Sequence, residues 1–361
     1  MKYFDTYTSN TLASAENQHF FLSEDKEREQ TGRAFYKVFA SGKYNYSFLF
    51  SNTIDSTYGN GSVSHMNLVC DEWEILSARV ALVDNCDCKT MPEIHGFSAL
   101  TFGGSVSKTV NPAEIFSSDP IELDIKKGQF ICLEITFKGE MIPYHEESLL
   151  PIFKLDGDEW KYSKKMPLAH MIGCDRPVKK RIGFIGDSIT QGIGTPPNSY
   201  EHYAAVAADI VGEEYSYWDI GIGYARGNDA ATDGAWLFKA KQLDLVTVCF
   251  GVNDINQGFT AEQIIKNLEI IMDKLHKAGA KVIIQTVPPF EYTDARIDKW
   301  NTVNEHIMTS MAERAEGVFD VRPILSKSEE EPYKARFGGH PNSEGNGIWG
   351  RALAEVIKKT I

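Results

Sequence analysis

Apolar and polar positions change rhythm once along the chain. From residue 36 to about residue 140, β-branched and aromatic residues gather in short runs, "YNYSFLF", "EILSARVALV" and "QFICLEITF". Turn clusters such as "STYGNGS" and "KKG" separate them. Helical spacing is scarce there. Short strands interrupted by frequent turns predict an antiparallel sandwich or jelly roll. Residues 1–30 are polar and charged and give no element pattern.

Past "CDRPVKK", a polar, proline-containing bridge, the rhythm becomes strand–helix alternation. Buried-strand runs predict strands at 181–186, 214–220, 244–250, 281–287 and 317–321. Helical spacing predicts helices at 198–212, 262–278, 294–316 and 343–359. In the second of these, Ile264, Ile265, Leu268, Ile271, Met272 and Leu275 form a core-facing stripe, and Gly279 supplies a stop. Such alternation implies a mainly parallel sheet covered by helices on both faces. The expected organisation is a β-rich domain over 1–172 and an α/β domain over 180–361. In parallel α/β sheets ligands bind beyond the carboxyl ends of the strands, so the residues just after each strand matter most.

Composition narrows the partners. The 361-residue chain is 42% hydrophobic and 24% charged, with a formal charge of −13. A polyanion is repelled by that balance, which speaks against nucleic acid and anionic membrane as partners. The six cysteines fit no disulfide framework and contain no CxxC pair. Cys86-Asp87-Cys88 is read as two thiols in a strand-end loop and Cys249 as a core residue, so no metal is expected. "MKYFDTYTSNTLASAENQHF" has no apolar stretch after its lysine, and with reduced thiols this points to the cytoplasm.

The strand-end loops hold the chemistry. After the first α/β strand comes "GDSITQG", where Ser188 is either a helix N-cap or a nucleophile, with Gly186 and Gly192 leaving room around it. After the second comes "DIGIGYARG". Its glycines at 221, 223 and 227 miss the dinucleotide fingerprint by one residue, or else they turn backbone N–H groups toward a ligand oxygen. After the third comes "GVNDINQG", in which the Asn253 amide points to the same crevice and Asp254 is placed to cap a turn. Beyond the fifth lies "FGGHPNSEG", with His340 before the last helix. A hydroxyl, two kinds of donor and an imidazole stand in that chain order.

Together these loops resemble the blocks of the SGNH (GDSL-type) hydrolase superfamily over roughly residues 180 to 361. "GDSITQG" resembles the nucleophile block, "DIGIGYARG" the block supplying a backbone oxyanion donor, "GVNDI" the G-x-N-D block and "HPN" the histidine block. The resemblance implies a three-layer, flavodoxin-like hydrolase domain. It implies Ser188 as nucleophile and His340 as base. The oxyanion donors it implies are the Ser188 N–H, the N–H of Gly223 or of Tyr224, and the Asn253 amide. It implies no cofactor. The segments "LTFGGSVSKTV" and "SDPIELDIKKGQ" are similar to the β-rich front half of two-domain GDSL esterases, a layout shared by carbohydrate acetyl esterases. The resemblance implies a small-molecule or oligosaccharide ester as substrate, with a small acyl group, acetyl foremost, on a sugar.

Two positions depart from the family pattern. The family writes D-x-x-H, but Phe337 stands three before His340. Loss of that carboxylate costs about 10⁴ in rate in serine hydrolases. A backbone carbonyl near Gly338-Gly339 is the expected orienter of the ring, with Glu329, Glu330, Glu331 or Glu344 as carboxylate alternatives. In the second block, Asp219 takes the asparagine's place, and the residue five further on is Tyr224, whose ring is expected to wall the acyl pocket. Two rival readings follow: a catalytically impaired carbohydrate-binding protein, from the missing aspartate, and a nucleotide-binding oxidoreductase, from the glycines.

Overall fold

A computed structural model describes residues 2–57 and 65–361. Most of the turn read at "STYGNGS" lies outside them. The chain divides into two compact units, the first ending at Val178 and the second spanning Lys179–Ile361.

Among its described residues the first unit is all-β apart from one short helix. One antiparallel sheet runs Thr8–Ser9, Met171–Cys174, Gly42–Ser51, Ile115–Ser117, with Ile121–Ile125 also on Gly42–Ser51. The other runs Glu159–Tyr162, Ile152–Asp156, Gln30–Lys37, Phe130–Gly139, Trp73–Val83, Ser98–Leu100, with Lys108–Val110 on Trp73–Val83. One buried cluster joins alternate residues of both sheets. Tyr46, Phe48 and Phe50 come from the first, and Ile75, Leu133 and Ile135 from the second. That two-residue period makes a sandwich. The polar N-terminal stretch, unassigned from sequence, is built into it. Asn10 donates to the Ala40 carbonyl at 3.0 Å and to the Tyr46 hydroxyl at 2.9 Å, and Asn17 donates to the carbonyls of Ser51 (2.8 Å) and Thr53 (3.0 Å).

The second unit is a three-layer α/β fold around a five-stranded parallel sheet. Its strand order is Ser216–Gly221, Arg181–Gly186, Leu245–Cys249, Lys281–Gln285, Gly317–Phe319. This is the flavodoxin-like order 2-1-3-4-5. The first three strands in chain order are buried along almost their whole length, as both-face coverage requires. The helix Ser343–Thr360 packs against Tyr203–Val211, where the rings of Trp349 and Tyr203 stack at 4.0 Å. Ala261–Lys277 buries Ile264, Leu268, Ile271, Met272 and Leu275. A capping box of Thr260 with Gln263 starts it, and Gly279 takes φ +89° just past its end. The last stretch of the expected 294–316 helix departs from regularity. The α-helix ends at His306 and the chain continues as a π turn over Ile307–Met311. No helix among the described residues is long and apolar enough to cross a membrane.

Candidate active site

The first strand of the parallel sheet ends at Gly186, and the chain turns into the one-turn helix Ser188–Gln191. Asp187, not Ser188, is its N-cap: the Asp187 carboxylate accepts from the Ile189 N–H at 2.9 Å. The serine hydroxyl is thereby released from capping and meets another partner. Ser188 Oγ lies 2.8 Å from His340 Nε2, across 152 residues of sequence. Ser188 is buried and His340 half-buried.

Packing sets the imidazole. The Phe290 ring meets it edge-on, with centroids 5.5 Å apart at 84°. The backbone of Gly194 passes under the histidine loop, where a Cβ would come within 2.5 Å of the Pro341 carbonyl oxygen and 2.8 Å of that of His340. Asn346, fully buried one turn into the C-terminal helix, donates to the Pro341 carbonyl at 2.6 Å and accepts from the Tyr203 N–H at 3.0 Å. Its side chain therefore ties the histidine loop to the next helix. His340 Nδ1 donates to no carbonyl or carboxylate among the described residues. The backbone-carbonyl partner expected from sequence is thus not seen; the ring packs against Phe290 and the loop that follows it is tied by Asn346. Glu331 is engaged by Lys327 at 2.9 Å and by Lys334, and Glu344 occupies the first turn of the C-terminal helix. Arg336 lies over the Phe337 ring at 4.9 Å.

The loops expected from sequence to carry donors converge through the sheet register. Gly186 pairs with Gly221 and with Cys249, so the ends of three strands lie side by side. Gly221 is required by close approach, since a Cβ there would sit 2.3 Å from the Gln191 amide nitrogen. That glycine serves contact with the serine helix, which removes one support of the dinucleotide reading. Past it, Ala225 N–H closes a turn onto the Ile222 carbonyl at 3.2 Å, with Gly223 and Tyr224 at its centre. Asn253, in the short helix Val252–Asn256, donates to the Ala225 carbonyl at 2.9 Å and so fixes this turn. Asp254 does not cap its own turn. It accepts from the Gly227 N–H at 3.0 Å, clamping the second donor loop to the third.

Burial shapes the titrations. His340 is lowered from the ordinary imidazole value by desolvation, which keeps the ring neutral and able to accept a proton near pH 7. Desolvation pushes Asp187 up to about 7 and Asp254 up to about 6. Cys249 is raised well above the thiol range, in keeping with a core role. His202 Nε2 stands 3.2 Å from Asp219 Oδ2, both buried, and Asp219 also accepts from the Gly221 N–H at 2.9 Å. His202 and Asn346 were not singled out from sequence. Neither sits in a motif, and only the tertiary fold gives them partners.

One group of side chains among the described residues has the donor types and spacing to hold a metal. Glu16, Asp55 and His170 in the first unit have donor atoms within 4.8 Å of one another. His170 Nδ1 is 3.1 Å from Glu16 Oε2 and 3.7 Å from Asp55 Oδ2. Cys86 and Cys88 carry free thiols.

Residues 184–348 match the model of the GDSL-like lipase/acylhydrolase family. Among solved structures the chain is similar to the native aryl esterase of M. smegmatis, with 17% identity and a TM-score of 0.41 over 50% of this chain and 100% of that one. It is similar to a carbohydrate acetylesterase from Sinorhizobium meliloti, at 18% identity and TM-score 0.41, covering 51% and 100%. A family two carbohydrate esterase from Clostridium thermocellum, solved with cellohexaose, aligns over 95% of this chain and 98% of its own at 14% identity and TM-score 0.40. Among curated proteins, an uncharacterized protein of Mycoplasma pneumoniae is 29% identical over 136 residues, 34% of this chain. The chain spans 15% of the length of that relative.

Proposed function

Starting from a GDSL-like lipase/acylhydrolase domain over residues 184–348, we propose that this protein is a serine esterase that removes small acyl groups, acetyl foremost, from a carbohydrate. The observation that carries the reading is the 2.8 Å contact between Ser188 Oγ and His340 Nε2 at the carboxyl ends of a parallel sheet. His340 takes the serine proton as the hydroxyl attacks the ester carbonyl, and returns it to the leaving alcohol. The N–H of Ser188, at the first helical position, has no carbonyl inside its own helix to bond. It meets the developing oxyanion together with the N–H of Gly223 or Tyr224 and the second amide hydrogen of Asn253. Water then attacks the acyl-serine with His340 again as base. Ser188 and His340 act as a dyad, the ring being held by Phe290 and the Asn346 tie in place of a carboxylate.

The test is a fluorophosphonate probe read by mass spectrometry. A single adduct on Ser188, lost in Ser188→Ala together with p-nitrophenyl acetate turnover, is expected. An unlabelled Ser188 beside sugar binding would replace the esterase with an impaired binding protein.

A further inference from the structure

The turn Ile222–Ala225 carries its glycine in the wrong place. Its second central residue, Tyr224, takes φ +60°. A turn with positive φ at that position ordinarily holds glycine or asparagine there, because a side chain in the left-handed region is strained. Gly223, which would accept that conformation freely, stands one position earlier and is not among the glycines with positive φ. Strain of this kind persists where the surroundings fix it and function uses it. The surroundings do fix it: Asn253 holds the Ala225 carbonyl, and Asp229 holds the Arg226 N–H at 3.0 Å and its guanidinium, so the turn is clamped at its exit.

The same stretch has a second irregularity. From Ser216 to Gly227 every residue is buried except Tyr224, which keeps 39% of its surface exposed. A ring walling an enclosed acyl pocket would be covered. The turn starts beside the end of the serine strand, where the Ile222 N–H donates to the Gly186 carbonyl at 3.1 Å, so the exposed Tyr224 stands at the same rim of the sheet as Ser188.

We propose that the Tyr224 side chain determines specificity, offering a flat aromatic face to a ring-shaped alcohol portion of the ester, a pyranose or an aryl group. This rests on the esterase reading of the same site. Replacing the side chain leaves the Tyr224 N–H in place, so its contribution separates from that of any oxyanion donor.

The experiment compares wild type with Tyr224→Gly and Tyr224→Phe on three acetates: an acetylated methyl pyranoside, phenyl acetate and ethyl acetate. Tyr224→Gly is expected to lower kcat/KM about tenfold on one or both ring esters, the size of one aromatic contact, chiefly through KM. The loss is read as the ratio of kcat/KM on each ring ester to that on ethyl acetate within the same variant, so that any change in the shared oxyanion contact cancels. Tyr224→Phe, which keeps the ring, is expected to restore the ring esters. Loss on the pyranoside alone assigns the face to sugars, and loss on phenyl acetate alone to aryl groups. Equal change on all three esters, or none, overturns the proposal while leaving the esterase standing. A wild type that hydrolyses none of them overturns both.

Discussion

At the scale of single residues, the site turns on which atoms are already occupied. Asp187 takes the capping role that Ser188 offered from sequence, and the hydroxyl is free to face the imidazole. Asn253 spends one amide hydrogen on the Ala225 carbonyl, and the other is the one the proposed mechanism assigns to the oxyanion. Asn253→Ala therefore removes a donor and loosens the donor turn. Steady-state assays are expected to show kcat lower by about 10²–10³. His340, lowered by burial, must be neutral to act. Hence kcat/KM is expected to rise with pH through a midpoint below the ordinary imidazole value and then hold level; a midpoint above pH 7 would contradict the burial seen here. Asp187 and Asp254 have the opposite sign of linkage. Each holds its proton more tightly folded than unfolded, so the stability they contribute is present below about pH 4 and is lost as pH rises through about 6 and 7. Asp187→Asn keeps an acceptor for the cap and abolishes that titration. Urea denaturation at pH 5 and pH 8 is expected to show a fall in stability smaller than wild type's by on the order of 2 kcal/mol.

At the scale of elements, the strands and helices of the second unit were legible because burial on both faces writes continuous apolar runs, as in "RIGFIG" and "DLVTVCF". The helix Ala261–Lys277 was legible from its stripe. The first thirty residues were not, because their order comes from partners far along the chain. Thr8–Ser9 pairs with Gly173 and Cys174, and Asn10 and Asn17 are buried by spending their amides on backbone carbonyls. No local pattern reports that. The meeting of Ser188 with His340 was legible as motif, but the support of the histidine was not, since Phe290 and Asn346 lie in no block. Asn346 is the clearest case, an amide inside a helix whose hydrogen bonds hold the loop before that helix and the start of another. Asn346→Ala leaves the Tyr203 N–H and the Pro341 carbonyl without that partner. An unfolding free energy lower by about 1–3 kcal/mol is expected from chemical denaturation, accompanied by a reduced kcat.

At the scale of the whole molecule, the two units each own a core. The sandwich centres on Phe48, Ile75 and Leu133, and the parallel sheet on Ile182, Ile220 and Val248. Every residue placed in the proposed chemistry belongs to Lys179–Ile361. A fragment beginning at Lys179 is therefore expected to melt cooperatively and to take the fluorophosphonate label at Ser188, measured by circular dichroism and mass spectrometry. A fragment that is folded but unlabelled would show that the first unit is needed to complete the site. The division of roles was only partly legible. Sequence separated a β-rich half from an α/β half, but composition alone could not show that Glu16, Asp55 and His170 meet in the sandwich interior.

The sequence separation of 152 between hydroxyl and imidazole has a consequence for biogenesis. A ribosome that has made the first three-quarters of this chain carries the serine with no base beside it. On the proposed mechanism, ester cleavage starts only after the histidine segment has emerged and docked against a finished sheet, and until then the serine stays chemically silent.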